Sequence, residues 1–180
     1  QLDSPERPPQ SITVQLRPAS SEETLRLIEL DQQKRPRRIR IDWNNGLTCL
    51  VSCDANGRPQ QARIYLQSKD SDNTISSELS KDIAAGLSNR SIVRKTNFDK
   101  DGLTIAEETV FDADQTIRET ATRLKSGELV VNNYGPSSKL EAIRTYARKS
   151  GELIGETVFD GQGRVQSSLT KEGSNRVRRD

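Results

Sequence analysis

The sequence holds no histidine and no methionine, and only one tryptophan, three tyrosines and three phenylalanines among 180 residues. Without histidine the chain lacks the side chain that ordinarily moves protons near neutral pH, and with it the commonest metal ligand. No stretch approaches the roughly 18 consecutive apolar residues of a membrane-crossing helix. Apolar residues make up 31% of the chain and aromatics 4%. Leu, Ile, Val and Phe together lie only slightly above the roughly 20% that marks disordered chains. Charge does not complete that signature. The 28 basic and 26 acidic residues are interspersed and leave a net charge of +2, whereas disorder pairs low hydrophobicity with high net charge. A thin fold with much surface satisfies both facts, and repeat architectures are thin because each unit buries surface only against its neighbours.

Cysteine is scarce too. Cys49 and Cys53 lie in LTCLVSC. On a straight strand they face one side about 13 Å apart at ~3.3 Å per residue, beyond the ~7 Å Cα separation a disulfide tolerates. They read first as small buried apolar residues; a disulfide would require a bend or bulge between them. A zinc pair would lack two of its four ligands.

What the chain does have is a short loop, used repeatedly. CDANGR (53–58), FDKDG (98–102), FDAD (111–114) and FDGQGR (159–164) each place Asp after an aromatic or cysteine. In Asp54–Gly57, Asp99–Gly102 and Asp160–Gly163, Asp occupies turn position i and Gly position i+3. Type I turns favour that pattern, with Gly in the left-handed conformation of a bulged hairpin exit. The Asp112 loop, DADQ, lacks the Gly and is expected to be a poorer turn. Asn45-Gly46 is a strong hairpin signal of its own.

A second turn alternates with the first: RLKSGEL (123–129) returns as ARKSGEL (147–153), 24 residues later, and carries Gly127 and Gly151. From Asp99 onward turns fall about every 11 to 13 residues, and the segments between them read as short strands. Two strands make one unit, which puts both KSGE turns on one edge of a sheet and DADQ, GPSS and DGQG on the other. The predicted fold is all-β, an antiparallel meander of about 24-residue hairpin repeats in a twisted or partly rolled sheet. Strands are expected at 11–17, 23–30, 37–43, 47–53, 62–68, 92–98, 103–111, 116–124, 129–135, 140–148, 153–159 and 164–170. Within LEAIRTYA, Leu140, Ala142, Arg144 and Tyr146 share one face and Glu141, Ile143, Thr145 and Ala147 the other. Neither face is strongly apolar, which suits a single-layer sheet better than a sandwich core. Ile75, Leu79, Ile83 and Leu87 recur at helical spacing, so a short helix or a loop is expected near 73–87. The organisation is then a disordered tail at 1–10 and one β domain at 11–177, made of an irregular half (11–68), a connection (69–90) and a regular meander (92–177).

Candidate chemistry is thin. Asp99 with Asp101, or Asp112 with Asp114, resembles part of a calcium loop, but the twelfth position, which needs Glu, is Val110. The basic run Lys34, Arg35, Arg37, Arg38 and Arg40, with RVRR at 176–179, could hold an anion. A solvated face balanced by acidic neighbours is the simpler reading, and scarce aromatics argue against single-stranded nucleic acid. Glu107, Glu108, Glu119, Glu128 and Glu152 supply carboxylates but no marked catalytic pair; cross-strand ion pairing accounts for them. No nucleophile, phosphate-loop or dinucleotide signature occurs, and no cofactor or metal is expected.

FDGQGRV and CDANGRP resemble the YD-repeat pattern of Rhs-type bacterial proteins, aromatic-Asp-x-x-Gly-Arg-hydrophobic, and the alternating Gly turns are similar to those of MORN-like hairpin repeats. The resemblance covers mainly 92–170 and implies strands wound into a repetitive sheet; it carries over no catalytic residue. The QLDSPERPPQ start, without Met, reads as a mature N-terminus after signal removal or as a trimmed chain. The expected function is therefore non-catalytic: an exported bacterial protein (periplasmic, outer-membrane associated or secreted) presenting a sheet surface to a protein or envelope component. The alternative is a curled half-barrel that carries a lipid or lipoprotein acyl chain, and an unrecognised hydrolase comes third.

Overall fold

In a computed structural model of the chain, the described residues are 12–16, 20–66, 82–84, 86–88, 90–172 and 175–179. The chain divides into two compact units, Gln1–Arg90 and Ser91–Asp180. The expected tail at 1–10, and residues 69–81 of the expected helix or loop, lie outside the described residues.

Both units are antiparallel meanders. In the first, β1 (Ile12–Leu16), β2 (Glu23–Leu30), β3 (Pro36–Trp43), β4 (Leu47–Cys53) and β5 (Pro59–Leu66) each pair with the next strand in sequence. In the second, β6 (Ser91–Phe98), β7 (Ile105–Phe111), β8 (Ile117–Arg123), β9 (Leu129–Tyr134), β10 (Leu140–Tyr146), β11 (Leu153–Phe159), β12 (Val165–Glu172) and β13 (Asn175–Arg179) do the same. Neither unit pairs its first strand with its last, so neither sheet closes into a barrel. The last strand, β13, falls in a stretch that the sequence pattern marks only as basic. Residues 82–84 and 86–88 form turns rather than helix. Among the described residues the only helical element is a single 3-10 turn, Pro136–Ser138.

One turn template builds most hairpins. At Asp54 the amide of Gly57 donates to the Asp54 carbonyl at 3.0 Å, and the Asp54 amide donates to the carbonyl of Arg58 at 2.8 Å. Gly57 is left-handed at φ +79°. The same bonds recur at Asp160–Gly163 and Leu124–Gly127, at Gly135–Ser138, and at Asp112–Gln115. The expectation of a poorer turn at DADQ is not borne out: both bonds form at 2.9 Å, because Gln115 itself takes the left-handed conformation, φ 67°. A further copy, Asp31-Gln-Gln-Lys34-Arg35, carries Lys34 at φ 60° where the Asp54, Leu124 and Asp160 copies carry Gly. Gly46 also sits at i+3, bonded to the Trp43 carbonyl, with Asn45 before it.

The template reaches into the strands. Beyond the turn, position i−1 pairs with i+5, as in Leu30 with Pro36, Cys53 with Pro59, Phe111 with Ile117, Tyr134 with Leu140 and Phe159 with Val165. The following residue is then left over as a bulge: Arg37, Gln60, Arg118, Glu141 and Gln166 respectively. A bulge raises the local twist and bends the strand, so each such hairpin carries its own curvature.

The units differ in what they bury. In the first, Leu25 and Leu27 of β2 pack with Ile83 and with the half-buried Leu50 of β4. Ile83 and Leu87, two positions of the predicted helical face, are buried although their segment is not helical. In the second, Ala142 is the only buried apolar side chain among the described residues. Its strands make a sheet one layer thick, as neither face of the sequence pattern is apolar enough to require a cover.

Candidate interaction surfaces

The turn residues identified in the sequence (Asn45, Gly46, Asp54, Gly57, Asp99, Gly102, Asp112, Gly127, Gly151, Asp160 and Gly163) all lie in hairpin loops. At Asp54 and Asp160 the carboxylate accepts the amides at i+2 and i+4 at 2.8–2.9 Å. Asp31 does the same for Gln33 and Arg35. In each case the amide bond from the arginine at i+4 is the main force holding the carboxyl below the ordinary Asp range. Arg35 and Arg164 also close an ion pair on their turn aspartates. Asp114 is lowered by the Thr116 hydroxyl and amide. These carboxylates are turn locks, half-buried at Asp31, Asp54 and Asp160 and exposed at Asp114.

The Asp99 and Ala147 loops are longer. The Asp99 amide donates to the Thr104 carbonyl, and Asp101 rather than Asp99 caps the loop. In ARKSGE the turn opens one residue earlier, so Gly151 bonds to Ala147 four positions back. Its Arg148 side chain lies across Gly127, leaving no room there for a Cβ. The two KSGE turns are therefore neighbours on one sheet edge.

The basic run does not form one cluster. Arg35 pairs with Asp31, Arg38 with Glu29 and Asp82, and Arg40 with Asp42. Arg40 is only 3% exposed and donates to the carbonyl of Ile83 at 3.3 Å. Asp42 also accepts the Thr48 hydroxyl, which in turn accepts from Arg90. Burial and the charge of Arg40 lower the pKa of Arg90. This polar seam under Ile83 is structural, and it was not legible as such in the sequence, where Arg40 looks like one more surface cation. Lys34 and Arg37 remain exposed.

The cysteines are free. Both stand on β4, which runs as a strand from Leu47 to Cys53. Burial pushes the Cys49 thiol up to about 11; burial and then the Asp54 charge raise Cys53.

The carboxylates weighed for catalysis are engaged by neighbours. Glu108 meets Arg94 and Thr96, Glu107 accepts from Asn97, and Glu119 accepts from Asn133. Glu128 accepts from Ser126, and Glu152 pairs with Lys171. No group of three or more metal-ligating side chains occurs among the described residues.

Two surfaces of the second unit stand out. One sheet face is a hydroxyl and amide lattice: Thr109, Thr120, Asn132, Ile143, Thr157 and Ser168 lie side by side in one cross-strand row. Thr122, Val130, Thr145, Gly155 and Thr170 form the next. On the opposite face the KSGE turns border an open groove of about 390 Å3, lined by Leu129, Val131 and Tyr146 with Glu119, Arg123 and Arg148.

No family model matches the chain, and no curated protein matches it. Among solved structures it is similar to a crystal structure of a TarM mutant from S. aureus in complex with Fondaparinux, alpha-GlcNAc-glycerol and UDP. The TM-score is 0.26 at 6% identity, over 82% of this chain and 20% of that chain. At that score the likeness carries no argument about fold or function.

Proposed function

We propose that this chain is a non-catalytic binding or scaffold protein that presents an extended β surface to a protein partner in the envelope or secreted space. The observation that carries the reading is the second unit: eight consecutive strands whose described side chains bury one apolar residue, Ala142. A single-layer sheet leaves both faces to solvent, and a broad rigid face of half-exposed Thr, Asn and Ile is complementary to another protein surface without being self-adhesive. The repeated turn template supports treating the chain as a hairpin repeat, the property it would share with YD-repeat and MORN-like proteins. Repeats of this kind widen a surface by adding units rather than by thickening a core.

The test uses the full chain as bait in an envelope extract, alongside two charge-substituted variants. Thr120→Arg with Thr157→Arg alters the hydroxyl face; Val131→Arg alters the groove face. A partner that is retained by the parent chain and lost with one variant supports the proposal and identifies the face. Equal retention by all three forms would refute the use of either sheet face.

A further inference from the structure

The first unit has a second face, opposite the one that Ile83 covers. The strand register aligns Ile28, Ile39, Val51 and Ala62 in one cross-strand row. Arg26, Ile41, Cys49 and Ile64 follow in the next. Leu47 and Leu66 pair beyond them, and β3 alternation adds Trp43 to the side of Ile39 and Ile41. These apolar side chains are half-buried apart from Cys49, which is buried, and Leu66, which is 47% exposed. Four strands at ~4.8 Å spacing make the patch roughly 15 Å across, and an apolar patch of that extent marks an interaction site. The cover that Ile83 provides lies on the opposite face, against Leu25 and Leu27.

Charge is distributed along this face asymmetrically. The end formed by the Asp31 and Asp54 turns carries Lys34 and Arg37, both exposed, and neither meets a carboxylate among the described residues, unlike Arg35 and Arg38. The two turns touch, since Gly57 lies against Pro36 and Arg35, so the cations sit on a joined rim. The other end carries Trp43, Leu47 and Leu66, with Glu22 beside the Asn44 turn. A protein interface would be expected to have a polar rim all round. Arg26, the charge within the rows, is paired with Glu23, and an apolar track with further cations at one end fits a molecule with the complementary polarity.

We propose that this face binds a single-chain anionic amphiphile, its acyl chain running parallel to the strands, over the Ile28–Ala62 and Ile41–Ile64 rows in turn, and its anionic head at Lys34 and Arg37. From Arg37 to Trp43 the strand runs about 20 Å at ~3.3 Å per residue, room for an extended long-chain acyl group. The ligand is a different class from the protein partner of the second unit, so either proposal can fail alone.

Trp43 is the only tryptophan in the chain, which makes it a built-in reporter. Sodium dodecanoate, kept below its micelle-forming concentration, is titrated into the full chain while Trp43 emission is followed. The expected result is a saturable shift to shorter wavelength at one ligand per chain. Ile41→Asp weakens binding tenfold or more, and so does Lys34→Glu with Arg37→Glu. Neutral dodecanol binds the parent and the charge-reversed variant alike. If Ile41→Asp does not fold by circular dichroism, the charge-reversed variant decides alone, because both of its positions are exposed. The proposal is overturned by any of four outcomes: no saturable shift, a dodecanoate affinity indifferent to charge reversal, a response to phosphatidylglycerol vesicles only, or a dimer in sedimentation that buries Trp43 without ligand.

Discussion

Single residues in this protein matter mainly through backbone conformation. Gly127 and Gly163 both sit left-handed, at φ +93° and +79°, but only Gly127 lies beneath another side chain, that of Arg148. An Ala at position 163 meets open space, so Gly163→Ala should cost about 1 kcal/mol of conformational strain alone. Gly127→Ala adds the displacement of Arg148 and should cost about 2 kcal/mol; urea unfolding of the two variants measures the difference. Gln115 presents the reverse case, a non-Gly residue kept in the left-handed region. Its side-chain amide donates to the Ile92 carbonyl and accepts from the Ile92 amide, both at 3.1 Å, extending the β6 ladder past the end of β7. Gln115→Ala keeps the strain and loses the bridge, and should destabilise by about 1 kcal/mol. Gln115→Gly loses the bridge but relieves the strain, and should stay within about 0.5 kcal/mol of the parent. Equal unfolding midpoints for the Ala and Gly variants would show that the backbone at 115 is unstrained. At Cys49 the burial-raised thiol, near 11, leaves about one molecule in a thousand as thiolate at pH 8. Iodoacetamide should therefore modify Cys53 well before Cys49 in the native protein, and both at similar rates in denaturant.

At the scale of the hairpin, the turn aspartates link structure to pH. The carboxyls of Asp31, Asp54 and Asp160 titrate below the ordinary Asp value when folded. A depressed folded pKa contributes stability that is fully present above the unfolded value, about 4, and that is lost as pH falls through the folded one. Replacing all three by Asn keeps an oxygen to accept the turn amides but removes the titration. The triple variant should show a shallower loss of stability between about pH 4 and pH 2, read from urea midpoints across that range; superimposable profiles would place the acid sensitivity elsewhere. The same hairpins show what a sequence exposes and what it hides. Asp followed three residues later by Gly is visible because type I turns with a left-handed exit demand those residues. The Asp31 loop escapes that pattern because Lys34 stands in the Gly position, although the Leu before Asp31 and the Arg at i+4 are both present. The bulge after each turn is likewise hidden, since it depends on pairing rather than on residue type. It has a cost for strand reading: each bulge resets the two-residue alternation, so face assignments extended through a hairpin go wrong there. The longer loop at Ala147 was hidden too, because RLKSGEL and ARKSGEL have the same length, and Arg148 laid over Gly127 needed the neighbouring turn. Of the apolar face of the first unit only the β3 share was visible, where Ile39, Ile41 and Trp43 alternate with Arg38, Arg40 and Asp42; the face as a whole was hidden because its rows run across strands.

For the molecule as a whole, two different balances of forces operate in one chain. The first unit follows the ordinary rule in which buried side chains dominate: Leu25 is 2% exposed, Leu27 4% and Ile83 0%. Truncating such residues removes transfer energy and leaves a cavity. The second unit has no equivalent, so its stability must come from the ladder, from cross-strand pairs such as Arg144 with Glu156, and from turns that limit the unfolded chain. Leu27→Ala should therefore cost about 2–3 kcal/mol, whereas Val131→Ala, half-exposed on β9, should cost about 1 kcal/mol or less. Within the second unit the ranking inverts, and Gly127→Ala should outweigh Val131→Ala. Native-state hydrogen exchange tests both statements at once, since it reports opening energies segment by segment. The slowest amides should lie in β2–β4, beside Leu25 and Leu27, and Leu27→Ala should accelerate them by a factor of about 30 or more, the kinetic equivalent of 2–3 kcal/mol. Should Val131→Ala loosen β8–β10 as much as Leu27→Ala loosens β2–β4, the single-layer sheet would have to be held by side-chain burial after all.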